Sequence, residues 1–351
     1  MINLSWGRFP EQCIDKNIIS NATAGISNQI GNVLANYSTP GGDIELRKYF
    51  SSIYGVNDDN YRCLGLTVST NLSHYIVLKL YGNGCVITPD PTFSCYFSQL
   101  RKLNGVTIKW IAYKDLSNPE LLCSDLKRGD IVSIVLPNNP TGEIIGLEPI
   151  FNIFKKAYKV GAKVIVDATW HHTTFKSSDK YSLPDLINQA IRFKSIVLLG
   201  ISKSYGLSGL RCSIVFSAPE IVEKILSWSD DLTVTIGQFE QRILEYFIVN
   251  NKNPLYLDEL ISVASNNYKI IESSLSPIGY RCIAPSAGVF AYVQLPKGKC
   301  SIRLAGKLKE NGLLVYPSSH FSKKNDGIRV CLSESENNTK KAMEIIKQCS
   351  P

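Results

Sequence analysis

Ser202-Lys203-Ser204-Tyr205-Gly206-Leu207-Ser208-Gly209-Leu210-Arg211 follows the apolar run Ile196-Val197-Leu198-Leu199. That run reads as a buried strand, which puts Ser202 and Lys203 where the strand gives way to a loop. A lysine close to the interior and flanked by hydroxyls is poorly placed for a solvated surface charge. Desolvation takes away part of its proton affinity and turns the amine into a nucleophile able to condense with an aldehyde. Arg211, eight residues on, and Ser202 beside the lysine can together hold a phosphate. An ordinary loop with two basic residues would read the same way in isolation, and three further segments weigh against it.

Outward from this stretch, apolar runs alternate with helical patterns. Leu66-Thr67-Val68 leads into a helix carrying Tyr75, Leu78 and Leu80. Cys85-Val86-Ile87 ends at Pro89, Thr107 to Tyr113 reads as a strand, and Ile131 to Leu136 ends at Pro137. Ile150, Ile153, Phe154 and Ala157 mark one helix face, and Val164-Ile165-Val166 is again a buried strand. The alternation predicts an α/β fold: a large domain with a mostly parallel sheet flanked by helices. After about residue 250 the pattern changes to a long helix, three short strand signals and a closing helix near 338–348, a smaller α+β C-terminal domain. Residues 1–40 read as an irregular Asn-, Ser- and Gly-rich segment, 41–250 as the large domain and 251–351 as the small one.

Ligands in α/β domains bind at the C-terminal ends of parallel strands. Five polar segments fall there: Ser69 to Ser73, Asp90 to Phe93, Asn138 to Gly142, Asp167 to His172, and Ser202 to Arg211. They are expected to converge in one cleft. Asp167 ends a buried strand and calls for a cationic partner. A protonated ring nitrogen about 3 Å away would be held by roughly 5 kcal/mol at an effective dielectric near 20; a helix cap or a structural ion pair is the plainer alternative. Asn139, held by Pro140 in a turn, can donate to a phenolate oxygen. Ser69 to Ser73 precedes a helix and reads either as an anion site or as a capping box. Phe93 is either a core ring or one that stacks on a flat ligand.

Composition narrows the class. With 351 residues, 44% of them hydrophobic and 19% charged, the chain has the make-up of a globular protein with a full core. No run of about 18 apolar residues predicts a membrane span, and the first residues lack a secretory layout. Ten cysteines are scattered singly and the four histidines show no zinc-site spacing with them, which predicts a reducing, cytoplasmic setting and no metal. A net charge of +8 without a long Lys/Arg block argues against nucleic acid and for small anionic ligands.

Taken together, these motifs resemble the fold type I pyridoxal-phosphate enzymes, specifically the class I/II aminotransferases. Asn139 to Asp167 spans 28 residues, Asp167 to Lys203 spans 36 and Lys203 to Arg211 spans 8, which is the family's layout. The resemblance implies pyridoxal 5'-phosphate as cofactor, with Lys203 as Schiff-base lysine and proton shuttle. It pairs Asp167 with the pyridine nitrogen, Asn139 with the ring hydroxyl, and Phe93 with the ring face. It gives the phosphate to Leu72 N–H, Ser73, Ser202 and Arg211, and the substrate α-carboxylate to Arg329 in Gly327 to Ser333. Tyr37, before Pro40-Gly41-Gly42, matches a segment that reaches the neighbouring subunit's phosphate, so a homodimer is expected. The leader Asn21-Ala22-Thr23-Ala24-Gly25 loosely resembles a substrate-covering segment of histidinol-phosphate aminotransferase-like members, and the 1–40 segment is expected to pack on the small domain and the partner subunit.

Two positions depart from the pattern. Trp170 stands where a tyrosine donates to the ring hydroxyl, and Asn71 replaces the glycine of the phosphate cradle. His171 and His172 can add acid/base groups or be ordinary loop residues. The first reading is an aminotransferase acting on an α-amino acid. Its rival is another reaction on the same fold, such as a lyase, cyclase, decarboxylase or oxidase acting on an amino acid such as an arginine derivative. A non-catalytic module fits poorly with intact Lys203, Asp167, Asn139 and Arg211.

Overall fold

The computed structural model describes residues 1–7, 16–57, 60–250, 256–324 and 326–350. Its largest sheet has seven strands in the order Leu64–Thr67, Ser213–Phe216, Ile196–Gly200, Lys163–Asp167, Ile131–Val135, Cys85–Pro89 and Thr107–Ile111. Ser213–Phe216 runs antiparallel to both its neighbours, and the other pairings are parallel. Successive side chains point to opposite faces, so each central strand feeds two cores. Val164, Val166, Val197 and Leu199 pack with Ile150, Phe154, Leu186 and Ile187 of helices Leu147–Val160 and Leu183–Arg192. Ile165, Ile196 and Leu198 face Ile76, Val77, Ile221 and Ile225 of helices Thr70–Tyr81 and Pro219–Thr233 on the other side. Continuous apolar runs are what a sheet covered on both faces requires.

The second unit is a four-stranded antiparallel sheet, Tyr316–Pro317, Gly327–Cys331, Phe290–Gln294 and Arg281–Ile283, packed with helices Tyr256–Leu275, Ser301–Glu310 and Glu336–Cys349. The N-terminal strand Ile2–Asn3 pairs in parallel with Leu313–Leu314, and Leu4 lies in the same core. Two described stretches further along the leader depart from the irregular reading. Lys16–Gly25 and Ile30–Ala35 are helices despite their Asn, Ser and Gly content. Burial overrides weak propensity there, because Ala22 and Ile26 pack on Ile243 of helix Gln238–Asn250. Thr107–Ile111 also ends sooner than expected, and Tyr113–Ser117 is a 3-10 turn.

Candidate active site

The parallel strands deliver their C-terminal ends to one cleft of about 350 Å³. Its walls include Ser69, Thr70, Asn71, Phe93, Asn139, Asp167, Thr169, Trp170, Lys203 and Arg211 from the large sheet, and Phe290, Tyr316 and Arg329 from the small one. Lys203 does not sit in an open loop; it belongs to a single helical turn, Ile201–Ser204, directly after its strand.

Thr169 ties the two central strand ends together. Its backbone N–H donates to Asp167 Oδ1 at 2.9 Å, and its hydroxyl accepts from Gly200 N–H at 3.0 Å. Residue 200 must be glycine for this approach, since a Cβ there would lie 2.7 Å from Thr169 Cγ2. Asp167 is 4% exposed and accepts a second hydrogen bond from the Tyr96 hydroxyl at 2.5 Å. Burial pushes its carboxyl pKa up, against the pull of the Thr169 and Tyr96 hydrogen bonds. Tyr96 stacks on His74 with centroids 3.7 Å apart and meets Phe93 edge-on at 5.1 Å. His74 is held by Gln99 Oε1 at 2.7 Å and Ser133 Oγ at 2.9 Å, and burial drops its pKa to about 4.

Lys203 Nζ donates to the Gly7 carbonyl at 3.1 Å and lies 5.4 Å from the centroid of Trp170. Desolvation lowers its pKa to about 8, with Arg329 and Arg211 adding to the shift and Cys331 opposing it. Arg329 is buried, donating from Nη1 to Asn139 Oδ1 at 3.1 Å and from Nη2 to the Ser5 carbonyl at 2.7 Å. The Phe290 ring lies 4.0 Å from its guanidinium carbon, and Tyr316 and Phe321 flank it at 5.1 and 5.5 Å. Desolvation pulls even this guanidinium down to about 10. Among the described residues its Nε has no hydrogen-bond partner.

The helix Thr70–Tyr81 opens on the cleft earlier than expected. Ser69 is its N-cap, and the Ser69 hydroxyl accepts from Leu72 N–H at 3.2 Å. Leu72 N–H is therefore engaged, and the Ser73 hydroxyl is turned inward to Thr67 Oγ1 at 2.7 Å. Thr70 and Asn71 line the cleft instead, because the first N–H groups of a helix have no acceptor within it. Arg211 adopts a left-handed backbone, φ 50°, and is secured by Nη1 on the Ser208 carbonyl at 3.1 Å. The Ser202 side chain lies outside the described residues.

Three further candidates stand away from this cleft. Asn21 is on an exposed face of its helix, and the Tyr37 side chain is 81% exposed on this chain's surface. His171 lines a separate cavity with Tyr181 and Tyr205, its Nδ1 bonded to the Ala168 carbonyl at 3.0 Å. Burial, with His172 next to it, depresses the His171 pKa well below the ordinary histidine value. Sequence reasoning missed Trp6 and Gly7, which line the cleft, and Tyr96 beneath it. Seven residues carry too little periodicity to place a segment, although Trp6-Gly7 without a visible core role was a signal. Tyr96, three residues after Phe93 on a helix start, was readable as a neighbour of that ring.

The chain belongs to the class I and II aminotransferases: the family's model matches residues 1–346. It is 27% identical over 213 residues to a histidinol-phosphate aminotransferase from Aliarcobacter butzleri, covering 60% of this chain and 55% of that protein. A histidinol-phosphate aminotransferase from Thermococcus gammatolerans is 30% identical over 192 residues, covering 54% and 52%. The chain thus matches about half the length of these relatives. In fold it is similar to the α-aminoadipate aminotransferase of Thermus thermophilus solved with N-(5'-phosphopyridoxyl)-L-leucine. That similarity has a TM-score of 0.87 at 19% identity and covers 99% of this chain and 92% of that one.

Proposed function

We propose that this protein is a pyridoxal-phosphate-dependent aminotransferase that takes an α-amino acid to its keto acid. The observation that carries this reading is Asp167: a buried carboxylate without a basic partner among the described residues, in the same cleft as a lysine lowered to about 8. A carboxylate so placed fits a protonated ring nitrogen. The N-terminus of helix Thr70–Tyr81 with Arg211 fits a phosphate, and Phe93 fits a ring face.

When bound, the cofactor supplies an electrophilic carbon and an electron sink. The chain's part is to bind, orient and move protons. Arg329 holds the substrate α-carboxylate, its guanidinium kept in plane by Asn139 and the Ser5 carbonyl over the Phe290 ring. Lys203 Nζ, lowered to about 8 so that part of it is free amine at ordinary pH, would accept the proton from the substrate α-carbon and deliver it to the cofactor carbon. Asp167, braced by Thr169 and Tyr96, keeps the ring nitrogen protonated.

The working form is a homodimer in which Tyr37 reaches the partner's phosphate; its exposure on the single chain supports this. The setting we propose is a reducing, cytoplasmic one, supported by the cysteines among the described residues being free thiols. A lyase, cyclase, decarboxylase or oxidase is favoured only by Trp170, an indole near Lys203 in place of a phenol. Borohydride reduction of the holoprotein followed by peptide mapping tests the cofactor assignment. Label on Lys203 is expected, and label on another lysine overturns it.

A further inference from the structure

The turn that follows Tyr37 is built more firmly than an exposed side chain requires. Gln241, 3% exposed on helix Gln238–Asn250, reaches across to it. Its Oε1 accepts from Asp43 N–H at 2.8 Å, and its Nε2 donates to Ser38 Oγ at 2.8 Å and to the Ile236 carbonyl at 3.0 Å. One turn earlier, Gln238 Nε2 donates to the Tyr37 carbonyl at 2.9 Å. Arg242 Nη2 meets Asp43 Oδ2 at 3.2 Å, and Asp43 caps helix Ile44–Ile53. The turn is also pinned to the sheet, with Leu66 N–H donating to the Gly41 carbonyl at 2.8 Å. Gly41 and Gly42 have φ of 79° and 91°, and a Cβ on either would lie within 2.6 Å of Leu226 or Leu66. The Tyr37 carbonyl and the turn after it are therefore held, while the Tyr37 phenol projects into solvent on the single chain.

We infer that Gln241, assisted by Gln238, is a positioning residue that pre-aims Tyr37 at a phosphate held by a second copy of this chain. A phenol contributes to anion binding only if its hydroxyl is already where the oxygen will be, because ordering a loose turn on binding would cancel the gain. The inference rests on the homodimer reading above and adds how the crossing residue is held.

The test is a double-mutant cycle on pyridoxal phosphate affinity in the full-length dimer, with pyridoxal, which lacks the phosphate, as control. Tyr37→Phe is expected to weaken pyridoxal phosphate about tenfold, the size of one hydrogen bond to a charged group, and to leave pyridoxal unchanged. Gln241→Leu is expected to weaken it about fivefold alone and to add nothing in the Tyr37→Phe background. Gln238→Leu, a milder change at a partly exposed site, should behave the same way and serves if Gln241→Leu fails to fold. Effects that multiply in the double variant, or that weaken pyridoxal equally, overturn the inference and leave Gln241 as a fold residue. No effect of Tyr37→Phe in a sedimenting dimer overturns the intersubunit reading beneath it instead.

Discussion

Tyr96 donates its phenolic proton to Asp167 Oδ2 across 2.5 Å, with both groups out of contact with solvent. The carboxylate that the proposed chemistry relies on is thus held by a residue outside the cleft lining. Replacing Tyr96 by Phe keeps the ring on His74 and removes the donor. Folding stability should fall by about 2 kcal/mol, the cost of leaving a buried charged acceptor short of a partner. Urea denaturation of the apoprotein measures it, and an unchanged midpoint would show that the bond contributes nothing.

Asp167→Asn should bind pyridoxal phosphate nearly as well as the parent, because Arg211 and the Thr70–Asn71 helix end are untouched. Turnover should drop on the order of 100-fold or more, since a neutral amide cannot keep a ring nitrogen protonated. Cofactor titration and steady-state kinetics on the same preparation separate the two effects.

For Arg329 the expected order is Arg, then Lys, then Ala. Arg329→Ala should raise KM for α-amino acids about 100-fold, and Lys should recover only part, lacking the planar fork that Asn139 and the Ser5 carbonyl now orient. Equal loss for an amine substrate without a carboxylate would make the residue structural.

Lys203 carries a pH signature. Its amine is lowered to about 8 in the folded chain from an ordinary 10.5, chiefly by desolvation. Between those values the unfolded chain binds more protons than the folded one, so Lys203 makes stability rise with pH across that window. Lys203→Met should flatten that rise, as read by denaturation at a series of pH values. In the parent apoprotein, association with pyridoxal phosphate should quicken with a midpoint near 8 rather than above 10.

Much of the sheet and the strand-end cleft was legible in the sequence, for a physical reason. Strands buried on both faces are continuous apolar runs, so Ile131 and Ile196 could be placed at the start of strands, Val164 one residue inside another, and Asp167 and Lys203 at or just beyond strand ends. What stayed hidden depends on contacts remote in sequence. Ser5 and Gly7 reach Arg329 and Lys203 through backbone carbonyls, which no side-chain pattern reports. Helix Lys16–Gly25 packs through Ala22 on Ile243, more than two hundred residues away, a contact its own weak propensities do not announce. Ser73 reads as a helix-end hydroxyl, yet Thr67 and Ser69 claim it.

Trp170 tests the reaction class. Its ring faces Lys203 Nζ at 5.4 Å and packs edge-on with Phe290 at 5.7 Å. If the protein is a plain aminotransferase, Trp170→Tyr should keep or improve turnover to the keto acid. A variant that gains keto acid while losing a different native product would move the protein to another reaction on this fold.

The most direct measurement is a single half-reaction without an amino acceptor. Holoprotein is mixed with each of a panel of amino acids, and cofactor and product are identified by mass. An accepted donor should yield pyridoxamine 5'-phosphate and its keto acid in equal amounts, one per active site. A product that still carries its amino nitrogen, with the cofactor recovered as the aldehyde, would contradict it.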